Sequence, residues 1–267
     1  MSVQTWGHRS GPPVVMGILN VTPDSFSDGG TWIGRGAVEH AIEMVEAGAS
    51  IIDVGGESTR PGSSPVSAEE ELSRLVPVLR DLIPSIDVPV SVDTMKTEVA
   101  ERCIGLGISI VNDVNALRAE GMLELCASTG VSAVVMHSEG GIFDKADAVS
   151  GDVLEEVRSF LESRCEAAIQ AGISSEKLMV DPGLGFGKSN EQNLLLLESS
   201  DEISCGHAVL SGSSRKRFVR NYYPDSDIDA ASAEMAVRAA RNGADIIRVH
   251  NVALTVEALR GSGLLRR

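Results

Sequence analysis

Eight short runs of branched aliphatic residues, spread along nearly the whole chain and separated by longer helical patterns, leave few folds open. The runs are Val14–Asn20, Ser50–Val54, Val88–Val92, Ser109–Asn112, Ser132–Met136, Lys177–Val180, Ala208–Leu210 and Asp245–Val249. Each is too short and too continuously apolar for an antiparallel strand with one face in water. A parallel strand covered on both faces fits instead. Between them lie Arg35–Ala47, Ala68–Leu82, Thr97–Gly105, Gly121–Thr129, Asp152–Ala171 and Ala230–Asn242. Several close on a glycine placed as a helix stop, at Gly48, Gly105 or Gly107, Gly130, Gly172 and Gly243. Eight such units predict an α/β fold, a closed (β/α)8 TIM barrel rather than an open doubly wound sheet. No Gly-x-Gly-x-x-Gly follows the first run, which speaks against a dinucleotide fold.

A barrel of this kind takes about 250 residues, and the chain has 267 with no Pro/Ser/Gly-rich linker, so residues 1–267 read as one domain. Aromatic residues make up only 3%, leaving Val, Ile, Leu, Ala and Met to fill the interior. The formal charge is −15, from 23 basic against 38 acidic side chains. Nucleic-acid phosphates and anionic membrane surfaces repel such a chain, so neither is an expected partner. An anionic small molecule would need a local basic cluster. Cys103, Cys126, Cys165 and Cys205 are scattered without a Cys-x-x-Cys pair, as expected for small buried residues in a reducing compartment. Without a basic, apolar leader or an apolar run of about 18 residues, the expected location is the cytoplasm.

Barrel enzymes work at the C-terminal ends of their strands. Here those ends deliver Asn20, then Asp53 with Gly55-Gly56-Glu57-Ser58-Thr59-Arg60, then Asp93, then Asn112-Asp113. Met136-His137, Asp181-Pro182-Gly183, Ser213-Ser214-Arg215-Lys216, and Arg248 with His250 follow. Two subsets differ chemically. Asp53, Asp93, Asn112 and Asp181 offer carboxylates and an amide; one carboxylate can accept from both donors of a 2-amino-4-oxo pyrimidine edge, as in a reduced pterin, with Lys216 serving the carbonyl. A single Asp at a turn is as readily a helix cap, but four polar residues at four neighbouring strand ends are not so easily explained. The second subset is cationic: Arg60, Arg215, Lys216, Arg248 and His250. An Arg fork beside an imidazole suits a phosphate or diphosphate, and the Asn20 amide oxygen suits an accompanying Mg²⁺. A lone His is commonly a satisfied core or turn residue; its place two residues after Arg248 favours a site.

Two loops, Thr22–Gly30 after the first strand and Gly55–Ser64 after the second, are rich in Gly and Ser, as loops that close over a substrate often are. Gly183-Leu184-Gly185-Phe186-Gly187-Lys188 looks like a phosphate loop but lacks Walker spacing and follows the sixth strand.

Taken together, "MGILNVTPDSFSDGG" at Met16–Gly30, "DVGGESTRPG" at Asp53–Gly62 and "SVDT" at Ser91–Thr94 resemble the dihydropteroate synthase family. "NDV" at Asn112–Val114, "DPGLGFGK" at Asp181–Lys188, "SRK" at Ser214–Lys216 and "RVH" at Arg248–His250 complete the pattern in family order. The resemblance implies a (β/α)8 barrel, usually dimeric. It would condense 6-hydroxymethyl-7,8-dihydropterin diphosphate with 4-aminobenzoate to give 7,8-dihydropteroate and diphosphate. It implies Asn20 as ligand of Mg²⁺ and diphosphate, and Asp93, Asn112, Asp181 and Lys216 as the pterin pocket lined by Met136 and Phe186. Thr59, Arg248 and His250 would hold diphosphate, while Gly212 and Ser214 complete the substrate-binding set, Ser214 with the two loops on the 4-aminobenzoate side. Asn20, Thr59, Arg60 and Lys216 form the implied catalytic group. The mechanism it implies is early departure of diphosphate and attack of the amine on a pterin carbocation, with no protein nucleophile.

The strand-5 end reads Met136-His137-Ser138-Glu139-Gly140-Gly141 where the family commonly has Met-His-Met, and Asn251 stands where an acid usually follows the last His. The segment Asn190–His207 is short, so the helix before strand 7 is expected to be trimmed. Two other functions stay open on sequence. A pterin-dependent methyltransferase would share the Asp93, Asn112 and Asp181 pocket but have little need for Arg248, His250 or the first loop. A non-catalytic paralogue would bind pterin and condense nothing.

Overall fold

The computed structural model describes residues 6–22, 31–58, 64–138 and 151–266. Strands β1 (Val14–Asn20), β2 (Ile51–Gly55), β3 (Val90–Asp93), β4 (Ile110–Asp113), β5 (Ser132–Met136), β6 (Leu178–Asp181), β7 (Ala208–Ser211) and β8 (Ile246–Val249) are parallel and close, in chain order, into a barrel. Helices α1 (Thr31–Glu46), α2 (Ala68–Leu82), α3 (Thr97–Ile104), α4 (Met122–Thr129) and α5 (Val153–Gln170) follow the first five strands. After β6 come α6 (Asn190–Glu198) and the single turn α7 (Ser200–Ile203), the trimmed helix expected there; then α8 (Arg217–Tyr222) and α9 (Ile228–Arg241) before β8, and α10 (Val252–Gly261) after it.

Five strands run one residue past the end of their apolar pattern: β2 to Gly55, β3 to Asp93, β4 to Asp113, β6 to Asp181 and β7 to Ser211. Hydrogen bonding to neighbours, not hydrophobicity, ends a strand. The polar residues are therefore held on the rigid sheet rather than on loops.

Side chains alternate along a strand, and this decides what enters the barrel. Met16, Ile51, Ile110, Val134, Met179, Leu210 and Ile246 fill its interior. Two residues on, the same inward columns carry Asp53, Asn112, Met136, Asp181, Gly212 and Arg248. The register agrees: Asp53 pairs with Ser91, Asp93 with Asn112, and Met136 with Asp181. The other face of each strand, with Val54, Val92, Val111, Val135, Val180 and Ile247, packs under the helices. At Gly17 a Cβ would stand 2.8 Å from the Met44 sulfur and 3.2 Å from Val252 Cγ2, so a larger residue would displace the side chains packed between β1, α1 and α10.

The opposite end is sealed by the segment before β1. Trp6 joins the interior cluster, and its indole Nε1 donates to the Ser132 hydroxyl at 3.3 Å. His8 bridges Asp245 and Asp201 at 2.8 and 2.9 Å.

Candidate active site

The polar columns converge at the C-terminal mouth. Arg248, on β8, reaches across to β2 and β3: its Nε donates to Asp53 Oδ2 at 2.6 Å and its Nη2 to Asp93 Oδ2 at 2.8 Å. Asn112 Nδ2 donates to the same Asp53 oxygen at 3.1 Å. Burial opposes the charge on Arg248, yet the two carboxylates outweigh it and hold the guanidinium above its ordinary pKa. Burial pushes the Asp93 carboxyl up, against the pull of Arg248 and with the nearby Asp53 adding to the rise. Oδ1 of Asp53 and Oδ1 of Asp93 are both buried with no hydrogen-bond partner among the described residues. A buried carboxylate oxygen left so is costly, and it marks this cluster off from the fully paired carboxylates elsewhere in the barrel.

The facing wall comes from β6 and β7. Asp181 accepts the Gly183 N–H at 2.7 Å through Oδ1. Burial raises its pKa while Lys216 and that N–H draw it down. Lys216 donates to the Leu184 carbonyl, and its ammonium lies 4.8 Å from the centre of the Phe186 ring. Burial pushes this ammonium down to about 8, with Asp181 opposing and Arg248 adding to the fall. Met136 and Phe186 pack into one small apolar cluster with Val114 and Met95, a flat hydrophobic side to the polar slot. A Cβ on Gly212 would meet only Lys216 Nζ and Arg248 carbons, at 3.9–4.0 Å, which places this position between the two cations.

The rim differs in character. Asn20 ends β1 beside Gly55, where a Cβ would stand 3.6 Å from its Oδ1 and 3.8 Å from Asp93 Cβ, so Asn20 and Asp93 flank one point of the mouth. A cavity of about 580 Å³ runs from Asn20, Arg215 and His250 outward between α1 and α10, past His40 and Val252. No residue of the carboxylate cluster lines it; Asn20, which flanks Gly55 opposite Asp93, is the link between the two. Ser214 Oγ lies 3.0 Å from His250 Nδ1 and accepts the His250 backbone N–H at 3.2 Å, so the two residues share one edge of the mouth.

Not every expected cation faces the mouth freely. Arg215, at a positive φ of 59°, forks onto Asp229 at 2.6 and 2.8 Å. Asp229 also takes the Asn251 amide at 3.1 Å, while Asn251 Oδ1 caps α10 by accepting the Leu254 N–H at 3.1 Å. An acid at position 251 could cap equally well but would repel Asp229, a local reason for Asn here. Arg248 is expected from sequence to hold an anion; its Nε and Nη2 are instead engaged by Asp53 and Asp93. Thr59 and Arg60, most of the first loop and Glu139–Gly141 lie outside the described residues.

Sequence reasoning passed over the support beneath the second loop. Lys96 bridges Glu57 at 2.8 Å and Glu71 at 2.6 Å. Glu57 Oε1 accepts the Val66 N–H at 2.7 Å, tying together residues on either side of 59–63. These partners lie 39 and 25 residues from Lys96, too far apart for any spacing signal.

Residues 16–250 match the family of pterin binding enzymes. The chain is 48% identical over 257 residues to dihydropteroate synthase of Escherichia coli K12, covering 93% of this chain and 90% of that one. It belongs to the dihydropteroate synthase family. Among solved members, the Xanthomonas albilineans synthase with 4-aminobenzoic acid superposes at a TM-score of 0.90 with 41% identity, covering 97% of this chain and 98% of that one. The synthase of the same organism in complex with 7,8-dihydropteroate superposes at 0.84 with 40% identity, covering 94% and 93%. Membership of the synthase family removes the methyltransferase alternative. The eight-stranded barrel read from the sequence is the fold these synthases share.

Proposed function

We propose that this chain condenses 6-hydroxymethyl-7,8-dihydropterin diphosphate with 4-aminobenzoate, releasing 7,8-dihydropteroate and diphosphate. The observation that carries this is the division of one mouth: a slot of buried Asp93, Asn112 and Asp181 with half-buried Lys216 adjoins a rim of Asn20, Ser214 and His250, the two meeting where Asn20 and Asp93 flank Gly55. The slot suits the planar 2-amino-4-oxo ring. Asp181 and Asp93 are acceptors for its N–H groups, with Asp53 behind them holding Arg248 and Asn112; Asn112 can pair with the ring edge, and the Lys216 ammonium can donate to the ring carbonyl. Met136 and Phe186 cover its faces, and Gly212 leaves it room.

The diphosphate then falls to the rim, with His250, Thr59 and the remaining Nη1 of Arg248 as donors and Arg60 completing the cationic side. Among the described residues no three His, Cys, Asp or Glu side chains gather into a metal cage. Mg²⁺ does not need one, since it commonly takes one or two protein oxygens beside substrate phosphates and water. The hard, neutral amide oxygen of Asn20 fits that role. When bound, the ion would neutralise charge on the leaving group.

In the reaction, the exocyclic C–O bond to diphosphate breaks with its electron pair leaving on oxygen. The amine nitrogen of 4-aminobenzoate forms the new C–N bond and then sheds a proton to water or to the departing diphosphate. Asp93 and Asp181 next to the ring favour the developing pterin cation, and the rim cations favour the leaving group. Positioning and charge stabilisation carry the catalysis, with no covalent enzyme intermediate. Ser214 and the first two loops would frame the 4-aminobenzoate side. Residues 1–267 act as one pterin-binding barrel domain in this reading.

A homodimer in the cytoplasm completes the proposal. Exposed Ile169, Leu195 and Tyr222 lie on α5, α6 and α8, a run of neighbouring helices that could meet a second copy. No helix among the described residues is long and apolar enough to cross a membrane.

The test is to incubate the purified protein with Mg²⁺ and pterin diphosphate, with and without 4-aminobenzoate, following diphosphate release and product mass. Dihydropteroate formed in step with diphosphate is the expected result. Tight pterin binding with no product from any arylamine would instead make the chain a non-catalytic pterin-binding paralogue.

A further inference from the structure

Two buried ionisable groups just behind the slot take no part in the reaction as derived. Lys188 ends the glycine-rich loop after β6 and is 9% exposed. Its Nζ lies 3.0 Å from His137 Nδ1 and donates to the Gly183 carbonyl at 3.1 Å and the Phe186 carbonyl at 3.0 Å. An ammonium has only donors, so His137 Nδ1 must be the acceptor and its proton sits on Nε2. The environment agrees: burial, then the charge of Lys188, pulls the imidazole down to about 3, and the ring stands edge-on to Phe160 of α5 at 4.9 Å.

The loop is wound tightly around this ammonium. Gly183 has a φ of 66°, and a Cβ there would stand 1.8 Å from the His137 carbonyl oxygen, so no other residue fits. The His137 N–H donates to the Asp181 carbonyl at 2.9 Å, joining the ends of β5 and β6. From outside, Asn193 of α6 accepts the Gly185 N–H at 2.5 Å and donates to the Lys188 and Ser189 carbonyls at 3.2 and 2.7 Å.

The far side of the same loop is the pterin wall. Leu184 supplies the carbonyl that takes Lys216, Phe186 supplies the ring beside that ammonium, and a Cβ on Gly185 would come within 3.0 Å of Lys216 Cδ. A shift of the loop therefore moves both the aromatic cover and the lysine that meets the ring carbonyl. We infer that Lys188, held by the neutral imidazole of His137, is a positioning residue that sets Phe186 and Lys216 for the heterocycle. The inference rests on the slot being a pterin site. It also gives position 137, at the end of strand 5, a place as an acceptor behind the wall rather than a ligand in the mouth.

The experiment uses the full chain and four proteins: wild type, Lys188→Met, His137→Asn and His137→Leu. Asparagine places its amide oxygen near the position of Nδ1, whereas leucine has no acceptor. Each is titrated with 6-hydroxymethylpterin and, separately, with inorganic diphosphate and Mg²⁺. Lys188→Met and His137→Leu should lose between about tenfold and a hundredfold in pterin affinity, as sub-ångström to ångström misplacement does. Diphosphate affinity should be unchanged, and His137→Asn should stay within about threefold of wild type, because the hydrogen bond survives. If Lys188→Met fails to fold, the two His137 variants decide the matter. Equal loss in the Asn and Leu variants, wild-type pterin affinity in either acceptor-less or ammonium-less protein, or parallel loss of both ligands would overturn the inference. A wild-type protein that bound no pterin at all would overturn the proposed function itself and this inference with it.

Discussion

At the floor of the barrel both oxygens of Asp245 are taken, by the Arg9 N–H at 2.7 Å and by His8 and the Val209 N–H at 2.8 and 2.9 Å. Asp201 likewise spends both oxygens on His8 and Arg9, and Trp6 closes the interior between them and the core. At the mouth, Asp53 and Asp93 share a single arginine and each keeps a buried oxygen with no partner among the described residues. The same residue types thus serve two ends differently. Where polar groups satisfy one another they hold the chain shut; where they do not, their unmet hydrogen-bonding capacity is directed at something that must arrive. Natural cores rarely leave buried polar atoms unsatisfied; Glu71 Oε1, Ser91 Oγ and Ser211 Oγ also lack a partner among the described residues, but Asp53 and Asp93 bring two such carboxylates onto one arginine, which is what sets the mouth apart from the floor.

Arg248→Ala should give the largest effect, because it strips two buried carboxylates of their shared counter-charge. A loss of about 3–5 kcal/mol in unfolding free energy is expected, read by denaturant titration, together with weakened binding of a pterin that carries no diphosphate. Were binding of that truncated pterin untouched, Arg248 would be an anion ligand only and the mouth would not be the coupled cluster described. Trp6→Ala at the floor should cost about 3 kcal/mol of stability through the cavity it leaves. Its kcat/KM below the melting transition should match wild type; a specific fall in turnover would break the division between the ends.

A pH profile sharpens the same contrast. In the proposed pocket Lys216 acts as an ammonium donor, and burial pulls that ammonium down to about 8. Turnover should therefore decline as the pH rises through about 8, well before an ordinary lysine would titrate. Lys216→Arg, which stays charged, should remove that limb even if it lowers the plateau, and an unchanged limb would assign it to another group. Smallest of all, Arg9→Ala opens a half-exposed pair, and such pairs add little. No change in kcat and at most a marginal shift in midpoint are expected.

Most of the fold was legible because its signal is local. β1, β5 and α2 fall on their expected bounds, and the other strands differ by a residue or two at one or both ends. The exceptions have physical reasons. In α6, four consecutive leucines spread apolar surface around the helix instead of along one face, so no 3.6-residue period appears. α8 has only six residues, too few for any period. At the site, the residue types at strand ends were readable, but their partners were not. That Arg248 turns onto Asp53 and Asp93, 195 and 155 residues away, or Lys188 onto His137, 51 away, follows only from closure of the barrel.

The central claim is that one mouth holds a heterocycle and its phosphorylated tail by separate groups. Calorimetric titration of Asp181→Asn and His250→Ala against 6-hydroxymethylpterin and against inorganic diphosphate with Mg²⁺ addresses it directly. Asp181→Asn should lose about a hundredfold in affinity for the pterin, the cost of a charged acceptor, and bind diphosphate as wild type does. His250→Ala should show the reverse, with about a fivefold to tenfold loss for diphosphate alone. If each variant lost both ligands equally, or neither lost either, the two-part mouth would be contradicted.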